Sequence, residues 1–317
     1  MLADIFTPDL FASAIRMATP LALAAIGGTI CERSGIVNIA LEGMMLFGAF
    51  MAVIGAMFTG SAWIGVITGI TAGMSLALIH AFASITLRTD QVVSGTAINI
   101  LALGLTGFLM EVIFGHPGTT DPVARLSPVF SITGPTEGFF GQAWRWFDAV
   151  VLSYTPIVYA AMIIAVGGQW ALYNTRWGLR LRSLGEHPRA ADTVGISVVR
   201  GRYSAVLVSG ALAGLAGANL TLEQVGSFTE GMTNGRGFIA LAANIFGRWT
   251  PGGSYGASLL FGFADALQIK LQLFRDIIRI PSQFFLMLPY VLTVIVLASV
   301  VGRAVAPAAI GKPYEKG

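Results

Sequence analysis

Asn38 and Glu42 stand four residues apart inside an apolar run, so on a helix they share one face. A carboxylate one to two turns into a membrane span is costly unless it is paired or faces a water-filled interior. Two roles fit the pair: a structural bond to another helix, or the lining and gating of a passage for polar solute. Asn99 and Asn244 sit in the two runs most interrupted by small polar residues and join Asn38 and Glu42 as pathway candidates. Glu111, Glu223 and Asp265 are further intramembrane acids, read chiefly as helix-to-helix hydrogen bonds. Nothing points to bond-breaking chemistry. The single cysteine, Cys31, excludes an internal disulfide framework, and no CxxC or Cys/His cluster suggests a metal site. The GxxxxGK[ST] pattern is missing and the only lysines are Lys270, Lys312 and Lys316, so the chain has no P-loop to hold ATP. A role in ATP-driven transport would leave ATP and magnesium to separate subunits.

The elements that must position these residues are apolar runs at about 10–31, 36–58, 62–86, 91–114, 151–173, 203–225, 237–248, 254–271 and 283–302. The 317 residues are 55% hydrophobic and 11% charged, with a mean hydropathy of +0.75, which places the chain among polytopic membrane proteins. Most runs can cross a hydrocarbon core of about 30 Å at about 1.5 Å per residue. The expected fold is all-α, a single transmembrane domain over 1–317 with about 8–10 helices, some of them broken or re-entrant. Run 237–248 is the exception, because its helix would reach only about 18 Å. It is bracketed by Gly235-Arg236-Gly237 and by Gly247 through Gly253, and reads as a half-helix followed by a break. The opening MLADIFTPDL lacks a basic n-region, so the first run reads as a retained helix.

Six of nineteen basic residues fall in 174–202: Arg176, Arg180, Arg182, Arg189, Arg200 and Arg202. Taken as a cytoplasmic loop, this segment orients the chain, with the N-terminus outside, the C-terminus inside and twelve basic residues inside against six outside. Arg236 falls in the outside set, as does the group Lys270, Arg275 and Arg279, the weakest fit to the rule. Arginines at membrane edges also explain the net charge of +3 without nucleic acid. The extracytoplasmic connection 115–150, with four prolines, reads as ordered by turns. Its aromatic group Phe139, Phe140, Trp144, Trp146 and Phe147 suits a membrane interface, or a landing surface for an external protein.

Inside the basic loop, Glu186, His187, Pro188, Arg189, Ala190, Ala191, Asp192 and Gly195 follow helix logic. Pro188 suits a first turn, the alanines favour helix and Gly195 suits a stop. The expectation is a helix of one to two turns within 186–196, lying across the ends of two spans. It either completes an orientation-setting loop or docks a soluble partner.

The stretch Gly185-Glu186-His187-Pro188-Arg189-Ala190-Ala191-Asp192-Thr193-Val194-Gly195-Ile196 resembles the coupling-helix signature of permeases in bacterial ATP-binding-cassette importers of the ribose and branched-chain amino acid type, with His187 where Asn is commoner. Glu32-Arg33-Ser34-Gly35-Ile36-Val37-Asn38-Ile39-Ala40-Leu41-Glu42-Gly43-Met44-Met45 is similar to a block of the nucleoside branch, whose partners are basic-membrane-protein-type lipoproteins. Residues Gly237 through Gly247 with Pro251-Gly252 are similar to a third block of the family. The resemblance implies a bacterial inner-membrane permease subunit for nucleosides or related solutes, with simple sugars or branched-chain amino acids as the alternative cargo. Its implied partners are ATP-binding-cassette subunits, a related second permease and an extracytoplasmic binding lipoprotein, within membrane lipid. The rival class is an ion-coupled secondary transporter using Glu42, Glu111 and Asp265. Segments 35–43 and 237–245 also share a pattern, with Ala sixth and a polar residue eighth, as an inverted repeat would produce.

Overall fold

The structure is a computed structural model that describes residues 6–130, 138–273, 282–287, 291, 294–295 and 305–315. Regular structure among them is helical throughout. In chain order the elements are α1 (Pro8–Glu32), α2 (Leu41–Thr59), α3 (Ala62–Ala81, with a π-turn to Thr86), α4 (Gln91–Phe114), α5 (Gly138–Phe147), α6 (Pro156–Asn174), α7 (Arg176–Glu186), α8 (Pro188–Thr193), α9 (Val198–Asn219, with a π-turn to Val225), α10 (Arg236–Phe246), α11 (Pro251–Leu273) and α12 (Ser282–Leu286). Six of these, α1–α4, α6 and α9, are long and apolar enough to cross a membrane, with their π-turns included.

Local signals set the ends. Pro8 and Pro156 open α1 and α6, where the missing N–H costs nothing. Asp90 caps α4 by accepting from the N–H groups of Val92 and Val93, and left-handed Gly60 and Gly115 close α2 and α4.

α1 and α9 are the most buried spans, at 72% and 78% of their apolar windows, and α4 the least at 22%. The two central helices run antiparallel, with Gly27 against Ser209 and the Arg16 carbonyl accepting from Gln224. α11 lies antiparallel along the other flank of α1, so Gly262 meets Ala14 and Ala18 while Lys270 reaches Thr7. α3 crosses α9 through glycines at four-residue spacing, Gly69 and Gly73 against Gly210 and Gly214. A Cβ on Gly210 would stand 2.6 Å from the Gly73 carbonyl oxygen, so only glycine permits this approach.

Directions alternate along the chain. α1, α3, α6 and α10 descend toward the face that carries the arginine-rich segment, and α2, α4, α9 and α11 rise from it. α10 is the predicted half-helix. Only the coil 226–235 and this 11-residue helix make that descent, and the break follows at 247–250.

The structure differs from the sequence reading in four places. Run 36–58 is helical only from Leu41, and residues 36–40 climb from the basic face as irregular coil and turn. The aromatic group in 115–150 is not held by turns alone, since α5 forms there with Arg145 on a strongly amphipathic helix. The segment 174–202 is mostly helix, because Gly178, Leu181, Leu184 and Gly185 give α7 a buried stripe. Arg236 is not on the far face: it opens α10, level with the first turn of α2, and its Nη1 donates to the Met232 carbonyl. Arg275, Arg279 and most of run 283–302 lie outside the described residues.

Candidate functional site

Two polar regions stand out, one inside the bundle and one on the basic face. The inner one is organised around α10. Glu42, in the first turn of α2, receives the Gly235 N–H on Oε1 at 2.8 Å and the Gly237 N–H on Oε2 at 2.6 Å. A carboxylate there satisfies amides that the helix start leaves free and meets the positive end of its dipole. The approach is close enough that a Cβ on Gly237 would stand 2.5 Å from the Glu42 Cα.

The other end of α10 is held by Glu32, the last residue of α1. Its Oε2 accepts from Asn244 Nδ2 at 2.8 Å and from the Trp249 indole N–H at 2.5 Å. Asn244 Oδ1 in turn accepts from Thr29, whose hydroxyl also meets Ser254. Arg33 donates to the carbonyls of Trp249 and Arg248, two non-glycine residues with φ of 52° and 55°. Such left-handed conformations persist only where surrounding bonds hold them.

Between the two acids, the non-helical stretch 36–40 has its backbone served by side chains from other spans. Gln91 accepts the Val37 N–H, His80 meets the Val37 carbonyl, and Asn99 donates to the Ile39 carbonyl while accepting the Gly43 N–H. Asn38 donates to Ser209 at 2.8 Å, about 16 Å along α9 from its start.

The four pathway candidates therefore divide. Glu42 and Asn99 come together on a pocket of about 340 Å³ with Thr96, Thr233, Asn234 and Phe238. Asn38 and Asn244 are fully buried bonding groups away from it. Glu223 ties α9 to the start of α6, accepting the Ile157 N–H at 3.0 Å and an amide N–H of Asn219. Sequence reasoning missed Glu32, which with Arg33, Ser34 and Gly35 reads as a tight polar turn between two spans. The available signal was its position twelve residues past Pro20 in an otherwise uncharged stretch of α1.

On the basic face, α8 spans Pro188–Thr193, within the expected 186–196. His187 supplies its cap position, the Ala191 N–H donates to the His187 carbonyl, and Gly195 follows at φ +82°. Ala191 is buried against Leu184 and Val198, whereas Arg189, Ala190 and Val194 are exposed, the last at 74%. Glu186 Oε2 accepts the Ala308 N–H at 3.2 Å. Desolvation and a hydrogen bond with Asp192 push the Tyr314 hydroxyl above its ordinary value. No cluster of three or more metal-ligating side chains occurs among the described residues.

The interior couples two elements mechanically, and the basic face offers a short, mostly exposed helix. Neither region assembles a nucleophile with a base. A family model described as the permease component of branched-chain amino acid transport systems matches residues 10–302. The guanosine ABC transporter permease protein NupQ of Bacillus subtilis is 44% identical over 309 residues, covering 95% of this chain and 94% of that protein. The nucleoside ABC transporter permease protein NupC of Lactococcus lactis is 39% identical, covering 94% of each. The putative glucose ABC transporter permease protein TsgC13 of Haloferax volcanii is 38% identical over 84% of this chain and 79% of its own length. No solved structure matches. With a family match over nearly its whole length and helices built to span a membrane, the chain belongs to the permease-component family of branched-chain amino acid transport systems.

Proposed function

We propose that the chain is the permease subunit of an ATP-binding-cassette importer for nucleosides. The identity of 44% with a guanosine permease, sustained over 95% of the chain, is the observation that carries this reading. The arginine-rich face lies in the cytoplasm, as the excess of positive charge there favours, and the membrane is the bacterial inner membrane.

α8 docks a separate ATPase subunit, which binds the ATP and magnesium. The exposed row Arg189, Ala190 and Val194 suits a seat in a partner's groove. Force on α8 passes through α7 to the 33–35 turn, where the Arg33 carbonyl packs against Gly185. From there Glu32 and Arg33 pull the lower end of α10, while Glu42 sits at the upper end beside the pocket. The solute passes along the pocket face of α4, whose Ile100 and Leu103 are exposed at 68% and 56% and await a second, related permease. An extracytoplasmic lipoprotein delivers the solute to the opposite face.

The test is uptake by vesicles holding this permease, its permease partner, the ATPase and the binding lipoprotein, supplied with radiolabelled guanosine or glucose. ATP-dependent guanosine uptake is expected. Uptake of glucose alone would favour the sugar reading that the Haloferax relative raises. Gradient-driven uptake by the chain without any ATPase would overturn the importer reading.

A further inference from the structure

We infer that the segment 305–315 is a second wall of the ATPase docking site, forming with α8 a cleft that receives an acidic element of the ATPase subunit. This rests on the docking role proposed for α8.

The segment is fastened to the basic face along its length. Its Ala309 N–H donates to the Gly185 carbonyl at 2.8 Å and its Gly311 N–H to the Gly35 carbonyl at 3.0 Å. Arg202, buried at 1% exposure, bridges the Ser34 carbonyl and the Lys312 carbonyl at 3.2 and 3.1 Å. Arg88 pairs with Glu315 at 3.2 Å. These attachments join the ends of α1, α3, α7 and α9, so the segment is held in register with α8.

Between the two walls is a cleft of about 760 Å³, with Glu186–Ala190 on one side and Ala308, Ala309 and 312–315 on the other. Its charge is asymmetric. Glu315 is paired with Arg88, while Glu186 accepts only the neutral Ala308 N–H and keeps its charge in the cleft. Arg189 and Lys312, one on each wall, have no carboxylate partner among the described residues. Two cations against the single charge of Glu186 leave the cleft with an excess of positive charge, and a bound acidic side chain would meet both Arg189 and Lys312. A single exposed helix offers a partner one edge, whereas a walled cleft fixes its rotation.

The experiment uses membranes with this permease, with and without its ATPase subunit, in a Cys31→Ala background. A190C and K312C are each labelled with a membrane-impermeant maleimide from the basic face. Both labelling rates are expected to fall about tenfold or more when the ATPase is present, since a docked interface excludes solvent. Protection of A190C with an unchanged rate for K312C would overturn the inference and leave the α8 docking reading standing. Protection of neither would defeat that reading and the inference with it. As a second readout, K312E is expected to reduce ATPase co-purification as R189E does, and normal recovery with K312E alone would also overturn the inference.

Discussion

Residues 32–42 and 186–192 are two short stretches with the same ingredients, each with two acids, an arginine and a helix terminus. In the first, both acids turn inward and each accepts two donors from α10 or the loops on either side of it. In the second, Glu186 and Asp192 lie at the surface, where they meet segment 305–315 and solvent. An acid is fixed by the number of donors converging on it, not by its residue type. The inner stretch is already satisfied, while the outer one leaves Arg189 and Ala190 exposed, as the proposed docking requires.

The sharpest way to break that contrast is Glu32→Leu. It strands the Asn244 and Trp249 donors in a dry interior, at about 2–5 kcal/mol. We expect a large fall in thermal midpoint in detergent, partly restored in Glu32→Gln, and an unchanged midpoint would show that the inner clamp holds nothing. Next in size is Glu42→Ala, which uncaps α10 at about 1–2 kcal/mol. Uptake should fall with stability, and Glu42→Gln, which keeps one acceptor, should recover part of both.

Arg189→Glu sharpens the other side of the comparison. Stability should move by less than about 0.5 kcal/mol, as for other exposed positions, while solute-stimulated ATP hydrolysis in the assembled transporter is lost. If the melting midpoint instead fell as far as in Glu32→Leu, the outer stretch would be structural too. The smallest effect belongs to Arg88→Ala. It breaks an exposed pair with side chains 49% and 68% accessible, worth less than about 0.5 kcal/mol. A measurable loss there would mean that the attachment of 305–315 depends on this pair and not on its backbone bonds.

Much of the fold could be read from the chain, because apolar runs and their lengths are properties of single segments. The half-helix at 237–248 followed from its length and flanking glycines, and α8 from Pro188 and Gly195. The non-helical stretch 36–40 could not be read, since its apolar composition continues the run 36–58 without interruption. What unwinds it are Gln91, His80 and Asn99, supplied from elsewhere in the sequence. The same limit hid Glu32, which reads as part of a polar turn unless one knows that Trp249 folds back onto it. Periodicity placed Asn38 and Glu42 on one face by assuming a continuous helix. Once the chain unwinds through Asn38, that spacing loses its meaning, and only Glu42 reaches the pocket.

The unwound stretch also has a consequence for biogenesis. Peptide groups in hydrocarbon need partners at all times. When residues 36–58 first enter the bilayer, those of Val37 and Ile39 can be satisfied only within the segment itself, so the newly inserted form is a longer helix than the mature one. Its lower turns can open only after α3 brings His80 and α4 brings Gln91 and Asn99. The α1–α2 hairpin is therefore remodelled late, and chains arrested before α4 would still hold Asn38 and Glu42 together on a single helical face.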